Sequence, residues 1–179
     1  MAKTPTEDLM YKEKLLASEK DQAENIMIVD LLRNDLGRSC EIGSVTTPKV
    51  CEVESFQNVH HLVSTVRGQL SQDTHALDVL KHAFPGGSIT GAPKIRAMEI
   101  IEELEPHRRS LHYGSLGYIG YDGHMDTNIA IRTLICHKSH AYCWAGGGIV
   151  ADSQLKQEYQ ESFDKVNIIH ETLYEISGF

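Results

Sequence analysis

The chain has 179 residues, 41% apolar and 23% charged, a soluble globular composition that excludes a disordered tail, a collagen-like fibre and a staple-dependent miniprotein. Seventeen Lys and Arg against 25 Asp and Glu leave a net charge of −8, so the summed field repels nucleic acid and anionic membranes. A small anionic ligand would need a local cationic or metal-based site. No apolar run approaches the ~20 residues that span a bilayer, and the opening MAKTPTEDLMYKEKLL lacks the apolar centre of a signal peptide. A cytoplasmic location is the expectation. Cys40, Cys51, Cys136 and Cys143 form no CxxC or CxxH pair, which predicts inert core thiols rather than a zinc site.

Residues 7 to about 36 read as one long helix, apolar at Leu15, Leu16, Ala23, Met27, Ile28 and Leu31 and capped by Gly37. The β-branched stretches SVTTPKVCEVESF and VHHLVSTVRGQL predict two strands joined near Gln57 and Asn58. Asp73 or Thr74 is the expected cap of a short helix through Phe84. FPGGSITGAP is a glycine-rich loop, and Pro93 stands at the first turn of the helix KIRAMEIIEELE, which Pro106 ends. From Gly114 to Ala145, three β-rich runs punctuated by Asp122-Gly123 and by Lys138-Ser139-His140 predict an antiparallel meander. Asp152 or Ser153 then caps a last helix to about Tyr174, with the apolar stripe Leu155, Tyr159, Phe163, Val166, Ile169 and Leu173. Tyr113, Tyr118 and Trp144 are expected in the core. The fold class is α+β, a mainly antiparallel sheet flanked by helices, with no linker or repeat.

Two helices carry acidic pairs beside their apolar stripes. Glu24 precedes Met27, Ile28 and Leu31 on one side of the first, with Asp21 one turn earlier; Glu158, Glu161 and Lys165 cluster within about 60° on the last. A boundary carboxylate and a solvated i,i+4 pair worth about 0.2–0.5 kcal/mol would account for them separately. If the helices face each other, the same residues are what Mg²⁺ uses, since it takes one or two protein carboxylates and fills its shell with water and substrate oxygens. The loop Gly86–Gly91 has GxxxxG spacing, but Ala92 and Pro93 replace the Lys and Ser/Thr of a nucleotide loop. What remains is either a structural turn or an anion site at a helix N-terminus, carrying Ser88 and Thr90. Gly146, Gly147 and Gly148 allow close approach of backbone to a ligand. Arg132, inside the apolar run IAIRTLI, either meets a ligand carboxylate or a structural acidic partner. His61, beside Leu62 and Val63, is by residue type alone more readily a core histidine.

The blocks AENIMIVDLLRNDLGR, HHLVSTV, FPGGSITGAPKIRAMEII, GSLGYIGY, DTNIAIRTL, AGGGIVADS and EYQESFDK occur in the order found in chorismate-utilising enzymes, and the chain resembles that family from about residue 20 onward. FPGGSITGAPK is most similar to the aminodeoxychorismate synthase branch, anthranilate synthases being the alternative, with a non-catalytic chorismate-binding module as a further one. The resemblance implies Mg²⁺ on Glu24 and Glu161, supported by Asp21 and Glu158, gripping the ring carboxylate of chorismate. It places Ser88, Thr90, Gly91 and Gly146 to Gly148 on substrate carboxylate, Arg132 on the enolpyruvyl carboxylate, Lys165 as added positive charge and His61 beside the ring. Where anthranilate synthases often carry a tyrosine, this chain has His112. The implied reaction of the intact parent is chorismate plus ammonia to 4-amino-4-deoxychorismate, within para-aminobenzoate and folate biosynthesis, with ammonia from a glutamine amidotransferase partner. The resemblance further implies that residues 1–179 are the C-terminal fragment of one chorismate-binding domain. A PIKGT-type segment with the nucleophilic lysine would precede Met1, the chain alone would be inactive, and its incomplete sheet would favour self-association.

Overall fold

Thr4 and Glu7 open the first helix with a reciprocal capping box, Glu7 N donating to Thr4 Oγ1 at 3.2 Å and Thr4 N to Glu7 Oε2 at 3.1 Å. The computed structural model describes residues 4–56 and 59–177, and the chain forms two compact units that divide between Glu103 and Leu104. The single helix expected from periodicity is two, α1 (Pro5–Leu16) and α2 (Glu19–Gly37). Ser18 takes extended backbone between them, and its hydroxyl accepts from Asp21 N at 3.3 Å. A serine that offers the backbone another partner interrupts a helix without disturbing the apolar pattern. Gly37 is the last helical residue and Arg38, at φ −77°, is the C-cap, so the expected glycine cap is not formed.

β1 (Thr46–Ser55) and β2 (His60–Arg67) form the expected antiparallel hairpin, in continuous register from Glu52 opposite Val63 to Ser55 opposite His60. The predicted join at Gln57 and Asn58 lies outside the described residues. The ladder is irregular between Thr46 and Glu52, where Cys51 stands at φ +51° and its N–H donates to Ser64 Oγ at 2.9 Å. Asn25 of α2 seats the helix on this hairpin: its Nδ2 donates to Leu62 O at 3.0 Å, and its Oδ1 accepts from the Ser64 hydroxyl and, at 3.4 Å, from Cys51 Sγ. In α3 (Ala76–Ala83) the cap is His75 rather than Asp73 or Thr74. The His75 ring nitrogen accepts from Leu77 N at 3.2 Å, and Asp78 accepts from His75 N at 2.9 Å. A 3₁₀ turn over Gly87–Ile89 leads to α4 (Lys94–Leu104).

In the second unit, β3 (Ser115–Ile119) pairs antiparallel with β4 (Met125–Ile129) across Asp122-Gly123, Gly123 supplying φ +83°. β5 (Ile135–His137) pairs with β6 (His140–Tyr142), but β4 and β5 lie in separate two-stranded sheets. The expected meander is therefore interrupted. Arg132 takes φ +49° and Thr133 Oγ1 donates back to Ile131 O at 2.9 Å, so the chain turns where a continuous strand was expected. Ser153 accepts from Val150 N at 3.0 Å, bonding the preceding turn, and α5 runs Leu155–Ser177.

The fold is α+β as expected, antiparallel hairpins flanked by helices. Among the described residues the buried apolar side chains are Val29, Cys40 and Ala130. Tyr118, Cys136 and Cys143 are exposed rather than in a core, and so are Leu155, Tyr159 and Phe163 of the α5 stripe. No helix among the described residues is long and apolar enough to cross a membrane.

Candidate functional site

The second unit gathers the chemically richest set. Glu158 and Glu161 stand one turn apart on α5, Glu158 buried and Glu161 half-buried. Their carboxylates converge on the backbone of Gly147: a Cβ placed there would meet Glu158 Oε2 at 3.3 Å and Glu161 Oε1 at 3.4 Å. Lys165 Nζ lies 2.5 Å from Glu161 Oε1 and donates to Gly146 O at 3.3 Å. Glu161 and Lys165 thus form more than a solvated i,i+4 pair, because the ammonium also ties α5 to the glycine turn. Two carboxylates converging against glycine backbone fit a hard divalent cation in donor chemistry. Among the described residues no group of three or more His, Cys, Asp and Glu is assembled to hold a metal.

Gly146 also approaches Tyr113, whose Oη lies 3.3 Å from where a Gly146 Cβ would be. Tyr113 is held at φ +65° with its N–H on Ala130 O at 2.9 Å, and the Arg109 guanidinium lies 4.5 Å above its ring. His112 packs on that ring at 3.8 Å and lies 6.0 Å from Trp144. Its imidazole is buried, and Nδ1 has no hydrogen-bond partner among the described residues. Burial lowers the His112 pKa from the usual 6.5, the Arg109 charge lowers it further, and Glu105 opposes them. Arg132 does not sit mid-strand: it is exposed, in the bend after β4.

In the first unit, Asp21 lies in the first turn of α2, where a carboxylate also suits the helix dipole. Glu24, one turn later, is half-buried. His61 is exposed rather than in a core, edge-on to Phe56 at 5.8 Å, and lines an open groove of about 520 Å³ with Ile28, Leu32 and Glu54. In the glycine loop Ser88 is exposed, whereas the Thr90 hydroxyl donates to Gly86 O at 2.9 Å. Thr90 therefore shapes the turn with the proton expected to face a ligand. Gly91 is at φ +142°, a conformation side chains rarely adopt. Glu24, Asp21, His61 and the loop belong to the first unit; Arg132, Gly146 to Gly148, Glu158, Glu161 and Lys165 belong to the second.

Sequence reasoning missed one ion pair. Asp35 is buried near the end of α2, with Lys94 Nζ 2.6 Å from its Oδ2. Its signal was readable: an acid in a last helical turn and a lysine opening a helix each oppose the helix dipole.

A family model described as chorismate binding enzyme matches residues 1–171. Aminodeoxychorismate synthase component 1 of Klebsiella aerogenes is 60% identical over 168 residues, covering 93% of this chain and 37% of that protein. Anthranilate synthase component 1 of Streptomyces coelicolor is 51% identical over 161 residues, covering 90% and 32%. Among solved structures, anthranilate synthase component I from Streptococcus pneumoniae superposes with a TM-score of 0.81 at 48% identity, covering 89% of this chain and 37% of that one. The chain spans about a third of the length of these relatives.

Proposed function

The chain belongs to the chorismate-binding enzyme family, and from that premise we propose that it supplies part of the chorismate site of an aminodeoxychorismate synthase, which aminates chorismate to 4-amino-4-deoxychorismate. The observation that carries this reading is the higher identity to aminodeoxychorismate synthase component 1 than to anthranilate synthase component 1 over nearly the same residues. The FPGGSITGAP loop supports it. A component 1 name implies a second component, and a glutamine amidotransferase delivering ammonia is the partner that the reaction needs.

Glu158 and Glu161 of the second unit would hold Mg²⁺; their oxygen donors and the Gly147 cradle suit it. Bound there, the ion would neutralise and anchor the ring carboxylate of chorismate. The protein's own groups do the rest of the binding. Ser88 and the loop backbone face a carboxylate, and Gly91 keeps that backbone unobstructed. The Arg132 fork takes the enolpyruvyl carboxylate, and His61 lies beside the ring. Lys165 offsets the charge of Glu161 and holds the Gly146 to Gly148 turn against α5. The 179 residues contain no PIKGT-like segment, so the covalent step assigned to that lysine has no residue here.

The test joins these residues to the N-terminal portion of an aminodeoxychorismate synthase, supplies chorismate, Mg²⁺ and ammonium, and identifies the product by mass. Aminodeoxychorismate is the expected product, with none from the 179-residue chain alone. Anthranilate, or turnover by the chain alone, would overturn the assignment.

A further inference from the structure

Two helix ends carry charges that their own dipoles disfavour. Asp35 sits in the last turn of α2, where exposed carbonyls make the end negative, and Lys94 opens α4, where exposed amides make it positive. Neither helix gains from its charge, yet both are withdrawn from water, the side chains being 6% and 18% exposed. They meet at 2.6 Å, and Lys94 Nζ also reaches Ala83 O, the end of α3, at 3.4 Å. One ammonium thus joins the end of α2, the end of α3 and the start of α4.

Between α3 and α4 runs the glycine loop. One turn before Asp35, on the same side of α2, Leu31 packs against Gly87 so closely that a Cβ there would lie 2.7 Å from Leu31 Cδ1. The loop is seated on α2 at Leu31 and tied back to it at Asp35. Within it, Ile89 N donates to Gly86 O at 3.2 Å, and Thr90 N to Gly87 O at 3.3 Å.

We propose that the Asp35–Lys94 ion pair is a clamp that holds the loop carrying Ser88, Thr90 and Gly91 in its ligand-binding shape, making both of them positioning residues for a ligand carboxylate. The clamp rests on the loop's geometry; the carboxylate rests on the function proposed above. A buried ion pair replaced by apolar groups of similar size often leaves global stability intact, whereas removing one partner strands a buried charge. The useful variant is therefore the double substitution Asp35→Leu with Lys94→Met, because Lys94→Met alone can unfold the chain. Amide hydrogen exchange is followed at Ile89 and Thr90, with the β1 and β2 amides as an internal reference, and chorismate affinity is measured calorimetrically with Mg²⁺ on these residues joined to the N-terminal portion of an aminodeoxychorismate synthase.

Exchange at Ile89 and Thr90 should rise at least tenfold with the hairpin amides unchanged, and chorismate Kd should rise about tenfold. Unchanged loop exchange, or an equal rise throughout the hairpin, overturns the clamp. Loop exchange that rises while Kd stays put overturns the positioning role. A joined parent protein that binds no chorismate refutes the proposed function, and the exchange data still decide the clamp.

Discussion

Arg132 stands at φ +49°, a conformation that costs a residue bearing a Cβ on the order of 1–2 kcal/mol and glycine almost nothing. Strain of this kind persists where surrounding structure or function requires the side chain. Arg132→Gly should therefore raise the melting temperature while weakening chorismate binding; a variant that is stabilised and binds normally would remove Arg132 from the site. His112 makes a second prediction at this scale. Its pKa is lowered by burial and by Arg109, so below pH 6.5 the unfolded chain takes up a proton more readily than the folded one. Stability associated with His112 is then complete above pH 6.5 and falls as the pH drops through the lowered value. Melting temperatures at pH 7.5 and pH 5.5 should differ less in His112→Gln than in the parent. An equal difference would place the acid sensitivity elsewhere.

At the scale of elements, residue type was a better guide to chemistry than periodicity was to boundaries. The acidic pair on α5 was visible because its spacing is a property of any helix; that Gly147 would meet both carboxylates was not, since ten or more intervening residues decide it. The break at Ser18 and the turn at Arg132 were hidden for the opposite reason. A single hydroxyl and a single left-handed residue override long favourable patterns. The α3 cap escaped because histidine, not a usual capping residue, fills the position. The glycine loop was legible as a bend and its seating on Leu31 was not. Gly87→Ala should cost about 1–3 kcal/mol, the range for overpacking, and Leu31→Ala in the same chain should recover part of it in chemical denaturation. Additive losses from the two substitutions would show that the contact is not the cause.

For the whole molecule, surface area is the informative quantity. Two separately folded units of ~10 kDa would together expose about 10,500 Å², and this chain exposes 13,441 Å². Large apolar side chains account for much of the character of that surface, among them Ile149 at 82%, Leu155 at 87% and Ile176 at 77% exposed. Such exposure favours association. Sedimentation velocity should show oligomers growing with concentration, and Leu155→Ser with Phe163→Ser should shift them toward monomer. Monomeric parent chain at all concentrations would contradict this expectation. The α+β class was legible because it rests on many residues, whereas the division of the first helix and the separation of β3–β4 from β5–β6 were not.

The proposal that stands or falls first is that the α5 carboxylates serve Mg²⁺-dependent chorismate binding. Isothermal titration of chorismate into these residues joined to the N-terminal portion of an aminodeoxychorismate synthase, with and without Mg²⁺ and repeated with Glu161→Gln, tests it most directly. Binding that needs Mg²⁺ and is lost in Glu161→Gln is the predicted result. Equal affinity without Mg²⁺, or in Glu161→Gln with Mg²⁺, would contradict it.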